Sequence, residues 1–417
     1  MSITENERVL PSGEKCPFVR IEDVNIPVSG PGEHLAIHDR MREASRAYYG
    51  VAGQLETPFW QFTRMEDIRS ALQNAKLFAN EAVTPDNPNP PYKWIPEMLD
   101  GALHTRWRQL LSPLFAPAAV ERLRPKVVQR FDAIMAEIAP RGECDYVADV
   151  ALRFPNEIFM ELFGMPVSDA AQFQVWETAI LHGTGSGSEV AFEAMMAVNG
   201  YFAELIALKR KSPGEDIISQ ALTWEIDGAK IPDEDLLAFC LLMFMAGLDT
   251  VAMQLSYSMY HLAKHPDARA TVLADPDRVW PLAVEEFLRY YAFVTPGRKI
   301  MADTEFNGCP VRVGEMIWTP IGSANRDPRA FEDADKVIVD REVNPHIAFG
   351  AGPHRCLGSY LARQELLIGL RGWHDVVPNY RLEPGVEIVE HGAGAVCIDV
   401  VDLARRHAGL LQRLAHG

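Results

Sequence analysis

The stretch Phe349-Gly350-Ala351-Gly352-Pro353-His354-Arg355-Cys356-Leu357-Gly358 holds one cysteine in a loop marked by glycines, directly before a segment with helical periodicity. Glycine accepts a positive φ and lets a backbone approach a large flat group closely. The N-terminal amides of the following helix point back toward the sulfur, which favours a thiolate at Cys356 over a thiol. The loop therefore predicts a special chemical role for Cys356, and the alternative is a small buried core residue.

The other five cysteines differ from Cys356 in their surroundings. They stand singly along the chain at Cys16, Cys144, Cys240, Cys309 and Cys397. No Cys-x-x-Cys spacing or histidine-bearing pair occurs among them, so neither a zinc site nor an iron–sulfur cluster is indicated. We interpret them as core residues.

Composition and charge narrow the class of protein. The chain has 417 residues, of which 48% are hydrophobic and 23% charged, as in a soluble globular protein that can bury a large cofactor. The net charge of -17 argues against nucleic acid as a partner, because phosphate binding needs a basic surface. The polar, acidic start shows no secretory signal, so we expect a cytoplasmic location. The longest apolar run, 236–248, is shorter than the roughly 18 residues that span a bilayer, so we expect a buried helix and no membrane anchor.

The pattern along the chain is mainly helical. Helical periodicity marks 118–137, 192–211, 233–264, 281–291 and 357–373. Strand-like stretches are short: residues 308–314 and 316–318 predict a small hairpin, and 396–401 predict a further strand. Length alone would predict two or three domains, but no repeat, low-complexity tract or long linker divides the chain.

An acid and a hydroxyl interrupt the long apolar helix at Ala246-Gly247-Leu248-Asp249-Thr250. Burying Asp249 and Thr250 costs free energy unless each finds a hydrogen-bond partner or water. A threonine can bond the carbonyl four residues back, which loosens the helix, and this is the structural interpretation. Gly247 opens room beside the backbone, and local widening of helices often marks functional sites.

The run Phe-Gly-x-Gly-x-His-x-Cys-x-Gly at 349–358 resembles the cysteine loop of the cytochrome P450 family of haem-thiolate monooxygenases. The resemblance implies that Cys356 is the axial ligand of the iron of haem b. It also implies a mainly α fold with small β-sheets, in which the haem lies between the long central helix and the cysteine-loop helix. It extends over nearly the whole chain and is closest to soluble bacterial members of the camphor-hydroxylating kind. Together with the lack of linkers it favours one domain over residues 1–417, with 1–30 poorly ordered.

The segment 246–250 is similar to the oxygen-activation motif of this family. By that resemblance, Thr250 supports a hydrogen-bonded water beside the bound dioxygen, and Asp249 relays protons inward from solvent. Cleavage of the O–O bond consumes two protons, so an acid beside a hydroxyl suits the reaction. Electron donation from the Cys356 thiolate assists the same cleavage.

Glu286 and Arg289 stand three residues apart and share one helix face. An exposed pair of this kind would contribute little. The pair resembles the buried Glu-x-x-Arg of the family, which is a folding element, so we assign both residues a structural role. In many relatives an arginine completes the pair, but the matching stretch here, 334–337, contains none, and the third partner is left open.

Haem carries two propionates, and buried cations or imidazoles must meet them. Four residues match family positions for this role: His104, Arg108, Arg298 and His354. Taken one at a time, each is also compatible with a surface charge or a satisfied histidine. On the cysteine side, a basic patch is predicted from Arg106, Arg108, Arg355 and Arg363. An acidic [2Fe-2S] ferredoxin would dock there by an attraction that weakens with salt.

The substrate pocket is predicted from the same register. Tyr92 matches a tyrosine that hydrogen-bonds the substrate ketone in the camphor-hydroxylating kind, the alternative being an ordinary loop aromatic. Four apolar residues match pocket positions: Leu242, Met245, Val294 and Ala393. They predict a small, mostly apolar substrate, a terpenoid or cyclic ketone first.

Three functions are compatible with these residues. The first is a monooxygenase that inserts one atom of O2 into a C–H bond, with electrons from NAD(P)H through a separate ferredoxin reductase and ferredoxin, since the chain shows no flavin or iron–sulfur signature. The second is a peroxide-driven haem-thiolate enzyme, which the Asp249–Thr250 pair disfavours. The third is a non-catalytic haem sensor or carrier.

Overall fold

Helices form most of the chain that the structure describes, as the periodicity predicts. The computed structural model describes residues 19–22, 33–51, 57–83, 88–90, 92–181, 189–383, 389–391 and 400–402. Its helices are α1 (Glu33–Ala44), α2 (Met65–Gln73), α3 (Gly101–Phe115), α4 (Pro117–Ile138), α5 (Arg153–Leu162), α6 (Ala170–Leu181), α7 (Glu189–Lys211), α8 (Ile217–Ala221), α9 (Asp233–Gly247), α10 (Thr250–Lys264), α11 (Pro266–Ala274), α12 (Pro276–Tyr290), α13 (Ile321–Asn325) and α14 (Ser359–Val376).

The predicted helices agree with α4, α7, α12 and α14, and one prediction needs a correction. The segment 233–264 is not one helix: α9 ends at Gly247 and α10 begins at Thr250. At this break the Thr250 hydroxyl donates to the carbonyl of Ala246 at 3.2 Å. Such a bond to the preceding turn competes with the regular backbone ladder and bends helices.

Short strands complete the fold. They are β1 (Val19–Glu22), β2 (Ala47–Val51), β3 (Phe59–Phe62), β4 (Phe78–Ala79), β5 (Glu225–Ile226), β6 (Ala229–Lys230), β7 (Gly297–Ile300), β8 (Thr304–Phe306), β9 (Cys309–Val311), β10 (Met316–Trp318), β11 (Val389–His391) and β12 (Val400–Asp402). Six of them form a mixed sheet in the order β1-β2-β3-β10-β7-β4, and the others pair as β5-β6, β8-β9 and β11-β12.

The hairpin predicted from 308–314 and 316–318 is wrong. Strand β9 pairs back onto β8, and β10 lies in the large sheet between β3 and β7. The β8–β9 turn is Asn307-Gly308, with φ of 50° and 83°. Both positive angles suit a two-residue hairpin turn, for which Asn-Gly is the preferred sequence, so this signal was present in the chain.

Both ends of the chain are described only in part. Within 1–30, where poor order is expected, residues 19–22 form β1, which runs parallel to β2, and the other residues lie outside the described ranges. Of the strand predicted at 396–401, residues 400–401 belong to β12, which pairs with β11, and 396–399 lie outside the described residues.

The main hydrophobic core surrounds α9 and α10 and fixes the cysteine loop beside them. Helix α14, which follows the loop, packs against α4, α10 and α12. By length and composition, α7 and the segment Asp233–Lys264 would each suffice to cross a membrane. Core helices of soluble proteins pass the same test, and 61% of the apolar window in Asp233–Lys264 is buried inside the protein. That segment is therefore a core element, as expected.

Candidate active site

The cysteine loop is held by its backbone. Gly350 and Gly352 have φ of 72° and 74°, as the glycine pattern predicts. At Gly352 a Cβ would lie 2.5 Å from the carbonyl oxygen of Leu72, so only glycine fits there. The Cys356 N–H donates to the Phe349 carbonyl at 2.8 Å and closes the loop. The loop thus fixes the position of the sulfur before α14 begins.

The Cys356 side chain is exposed by surface area, yet dense protein surrounds its sulfur. Burial raises the pKa of the Cys356 thiol, although the Gly358 N–H and the charges of Arg108 and Arg355 act to lower it. The Gly358 amide acts in the direction expected from the sequence, but desolvation outweighs it. An accessible sulfur inside dense protein fits a ligand to a bound metal, since a metal cation deprotonates a coordinating thiol.

A second part of the site lies along α9 and at the start of α10. Leu242, Ala246 and Thr250 stand at successive turns and are partly or fully exposed, although the helix runs through the core. The residues between them are largely buried, Met245 among them at 7% exposure. Exposure that repeats every fourth residue in a core helix shows that this face borders an internal space. Leu242 thus lies on that face, and Met245 is buried beside it.

At the break between α9 and α10, the role expected for Gly247 is wrong. A Cβ at Gly247 would lie 2.6 Å from the ring of Phe159, so the glycine opens no room beside the backbone and instead lets this ring pack against it. Asp249 is only 5% exposed. Asp249 is thus a buried acid directly before Thr250 in the chain.

Two of the candidate propionate partners lie against each other. The rings of His104 and His354 are 4.1 Å apart between centroids, and both side chains are buried. Burial lowers the pKa of His104 to about 4, and the charges of His354 and Arg108 act in the same direction. The two ring nitrogens of His354 contact Asn80 Nδ2 at 3.2 Å and Asp100 Oδ1 at 2.9 Å.

The two arginines of the set belong to the same region. Arg108 donates from Nη2 to the Arg355 carbonyl at 2.9 Å, which ties α3 to the cysteine loop. Arg298 is buried and donates to the Gly297 carbonyl at 2.6 Å. Burial raises the pKa of Asp100, but hydrogen bonds from His354 and the Asn80 N–H, with the charge of Arg298, hold it below its usual value. The four candidates therefore gather around Asp100 and the cysteine loop.

Glu286 and Arg289 form a fully buried ion pair, as expected. Both side chains are 0% exposed, and two arginine nitrogens donate to the two carboxylate oxygens at 2.8 Å each. The third partner is Arg341, whose Nε donates to Glu286 at 3.0 Å. Arg289 also donates to the carbonyls of Asn325, Ala334 and Lys336. The pair thus clamps the chain around residues 325–341.

The predicted substrate residues are only partly described. Tyr92 is partly buried and stacks on Trp94, with 5.3 Å between the ring centroids. The Ile95 N–H donates to the Ala238 carbonyl of α9 at 3.5 Å, one turn before Leu242. Val294 is partly buried against the main core. Ala393 lies outside the described residues.

The predicted basic patch carries less free positive charge than expected. Arg106 pairs with Asp227 at 3.1 Å, and Arg363 makes two hydrogen bonds to Glu285 at 2.6 and 2.8 Å. Arg108 points inward to the loop carbonyl. Arg355 is exposed. Two of the four arginines therefore pair with carboxylates, whereas Arg108 and Arg355 bond only neutral groups, Arg355 the Ser359 hydroxyl at 3.4 Å.

Sequence reasoning missed several residues of this region. They are Asn80, Asp100, Glu177 and Arg341. Asp100 carried a signal, because it directly precedes helix α3, which bears His104 and Arg108. Glu177 carried none, since nothing in the sequence shows that α6 turns this acid toward the core.

These features define the class of protein: an accessible cysteine in a glycine loop, an interior helix face with one hydroxyl, and buried cationic groups together suit a haem held by thiolate. The sequence model of the family described as Cytochrome P450 matches residues 26–390. The chain belongs to the cytochrome P450 family. It is a haem b monooxygenase.

Relatives and solved structures agree with this assignment. The chain is 33% identical over 335 residues to a probable cytochrome P450 127A1 of Sinorhizobium fredii, covering 80% of each chain. It is 32% identical to a nocardicin C N-oxygenase of Nocardia uniformis, covering 82% of this chain and 88% of the relative. The crystal structure of the cytochrome P450 hydroxylase from the leinamycin pathway of Streptomyces atroolivaceus superposes with a TM-score of 0.80 at 29% identity, covering 90% and 97% of the two chains.

Proposed function

We propose that this enzyme inserts one oxygen atom from O2 into a C–H bond of a small, mostly apolar substrate, a terpenoid or cyclic ketone first. The observation that carries the proposal is the interior face of α9. Leu242 and Ala246 offer apolar surface there, and Thr250 offers a single hydroxyl at its end. Apolar walls with a few polar groups are typical of sites that orient small apolar ligands.

The roles of the residues follow from their chemistry. Haem bound through Cys356 supplies the activation of dioxygen. Thr250 uses its proton in the bond to Ala246, so its oxygen remains able to accept a hydrogen bond from a water. Asp249, buried next to it, passes protons to that water.

Arginine and histidine side chains would hold the propionates of the haem. Arg108 and Arg298 would be the direct partners, because a guanidinium presents several N–H groups in a planar fork that matches a carboxylate. His104 and His354 complete the set. Asp100 and Asn80 orient His354 through its two ring nitrogens.

Tyr92 is the proposed polar contact to the substrate. Its stacking on Trp94, in a segment attached to α9 near Leu242, supports this role. Val294, Met245 and Ala393 are the further apolar pocket residues proposed from the family register. Relatives carry names as different as nocardicin C N-oxygenase and mycinamicin IV hydroxylase/epoxidase, so membership of the family leaves the choice of substrate to such contacts.

Electrons are proposed to come from NAD(P)H through a ferredoxin reductase and an acidic [2Fe-2S] ferredoxin that docks near Arg355. We treat residues 1–417 as one cytoplasmic domain. The exposed guanidinium of Arg355 supports docking there, although Arg106 and Arg363 already pair with carboxylates.

The test measures two properties: which residue ligates the haem iron, and how much of the NADH consumed leads to product. The reduced, CO-bound protein should absorb much further to the red than a histidine-ligated haem, and a histidine-type spectrum would overturn the assignment of Cys356. Thr250→Ala should still consume NADH, but it should release peroxide in place of most of the product. A matched control is Thr271→Ala in α11, which removes a hydroxyl bonded in the same way to the carbonyl four residues back.

Each outcome distinguishes one alternative. A peroxide-driven enzyme would form product from added peroxide equally well with and without Thr250. A sensor or carrier would show no turnover with any terpenoid or ketone that shifts its haem spectrum. Unchanged coupling of NADH to product in Thr250→Ala would contradict the role of Thr250.

A further inference from the structure

Helix α6 carries a carboxyl that the reaction described above does not use. Glu177 is 3% exposed, and its Oε1 has no hydrogen-bond partner among the residues that the structure describes. An ionised carboxylate in such a place is costly, because it loses its water without gaining a counter-charge. Burial, and next the nearby carboxyl of Asp249, raise the pKa of Glu177 well above its usual value. Both effects favour the protonated form of Glu177.

The packing of α6 on α9 explains why these two acids meet. The ring of Phe173 on α6 packs edge-on against Phe244 on α9, with 5.5 Å between centroids. Glu177 follows Phe173 by four residues, and Asp249 follows Phe244 by five. Glu177 thus lies one helical turn beyond the aromatic contact on α6, and Asp249 lies just beyond the end of α9, on the other side of that contact.

Other charged groups near α6 have their own partners. Arg130 of α4 pairs with Glu157 and Glu161 of α5 at 3.3 Å each. On α7, the Tyr201 hydroxyl donates to Asp169 at 2.8 Å. Within the described part of the chain, Asp249 is the ionisable group that acts on Glu177.

We propose that Glu177 is the internal proton store of this site, which returns a proton to Asp249 after Asp249 has released its own toward Thr250. In this step the O–H bond of Glu177 breaks and an O–H bond forms on Asp249, and no group is oxidised or reduced. Glu177 later regains a proton from water. The inference rests on the proposed roles of Asp249 and Thr250. Because Glu177 acts through Asp249, it is a positioning residue.

The first test needs no turnover. Infrared spectra of the haem-loaded protein at pH 7 should contain the carbonyl stretch of a buried protonated carboxyl that disappears in Glu177→Gln. The control Glu204→Gln makes the same change at an exposed position of α7 and should leave that band unchanged. Glu365, whose pKa burial raises to about 8, contributes a band of its own to both proteins. A Glu177→Gln spectrum that has lost none of the carboxyl bands of the parent would therefore overturn the proposal. If Glu177→Gln does not fold, Glu177→Asp should shift the same band.

The second test is the pH profile of product formation. Glu177→Gln keeps the shape of the side chain but cannot release a proton, so product formation per NADH at neutral pH should fall toward the roughly 100-fold loss typical of a missing proton-transfer group. Lowering the pH should restore part of it, and Glu177→Asp should restore most of it. A profile identical to that of the parent enzyme would overturn the proposal.

Variants at the three residues separate the role of Glu177 from the roles of Asp249 and Thr250. If Asp249→Asn and Thr250→Ala uncouple NADH from product while Glu177→Gln behaves as the parent, the proton store is wrong and the proposed function stands. If Asp249→Asn and Thr250→Ala leave coupling unchanged, the proposed roles of Asp249 and Thr250 fail, and the proton store fails with them.

Discussion

At the scale of single residues, the same amino acid has opposite effects in two helices. Gly247 ends α9 where the ring of Phe159 lies against its backbone, 2.6 Å from where a Cβ would stand. Gly200 lies within α7, and nothing stands within 4 Å of its Cβ position. The sequence shows two helical glycines, but only the packing shows which of them is required.

We predict that alanine at these two positions changes the free energy of unfolding in opposite directions. Gly247→Ala should lower the free energy of unfolding by about 1–3 kcal/mol, because the new methyl displaces the Phe159 ring in a packed core. Gly200→Ala should raise it by about 0.5–1 kcal/mol, since alanine restricts the unfolded chain and favours the helix. Urea unfolding of both variants measures this. Equal effects from the two substitutions would contradict the packing argument.

At the scale of elements, periodicity and turn chemistry predict different parts of the fold. Apolar periodicity located α4, α7, α12 and α14, because each buries one face against the core. It could not show the break at Leu248–Asp249, which depends on the bond from Thr250 to Ala246. The Asn307-Gly308 turn was readable, but the apolar strand beside it led to the wrong pairing.

The candidate site shows the same division. The glycine loop and Cys356 were predictable, since the motif states them within ten residues. Arg341 was not, because its link to Glu286 spans 55 residues and depends on the path of the chain between α13 and the loop. The position of Glu177 near Asp249 could not be predicted for the same reason, because contacts between distant segments leave no local pattern in the sequence.

Helix α12 provides a test of the buried pair with its own control. Arg289→Met should lower the free energy of unfolding by about 3–5 kcal/mol, because it leaves Glu286 buried without its main counter-charge. Arg278 makes an ion pair of the same spacing to Asp275 near the start of this helix, but both side chains there are about half exposed. Arg278→Met should therefore cost about 0–1 kcal/mol.

Chemical unfolding of both variants measures the difference. Because Arg289 also donates to three backbone carbonyls, its loss should further loosen the segment 325–341, which faster hydrogen exchange there would report. A loss of stability in Arg289→Met no larger than in Arg278→Met would contradict the structural role of the pair.

At the scale of the whole molecule, buried titratable groups link folding to pH in two directions. Burial lowers the pKa of His104, His261 and His374 to about 4 each. It raises the pKa of Glu365 to about 8. A histidine with a lowered pKa stabilises the fold above its ordinary value of about 6.5, and this contribution is lost as the pH falls toward 4. The contribution of Glu365 is complete at low pH and is lost as the pH rises toward 8.

Because the two effects oppose each other, the histidine effect is measured by difference. We expect the parent protein to lose stability relative to the double variant His261→Gln/His374→Gln as the pH falls from 7.5 to 5, by roughly 1 kcal/mol per histidine for each pH unit below 6.5. Glutamine keeps a polar group near Tyr291 and Tyr380, the hydroxyl partners of the two rings, but cannot titrate. Urea unfolding across this range measures the difference. A difference in the free energy of unfolding that stays constant from pH 7.5 to 5 would contradict this prediction. The pKa values of the two rings would then be the same in the folded and unfolded protein, and their burial would not lower the stability in acid.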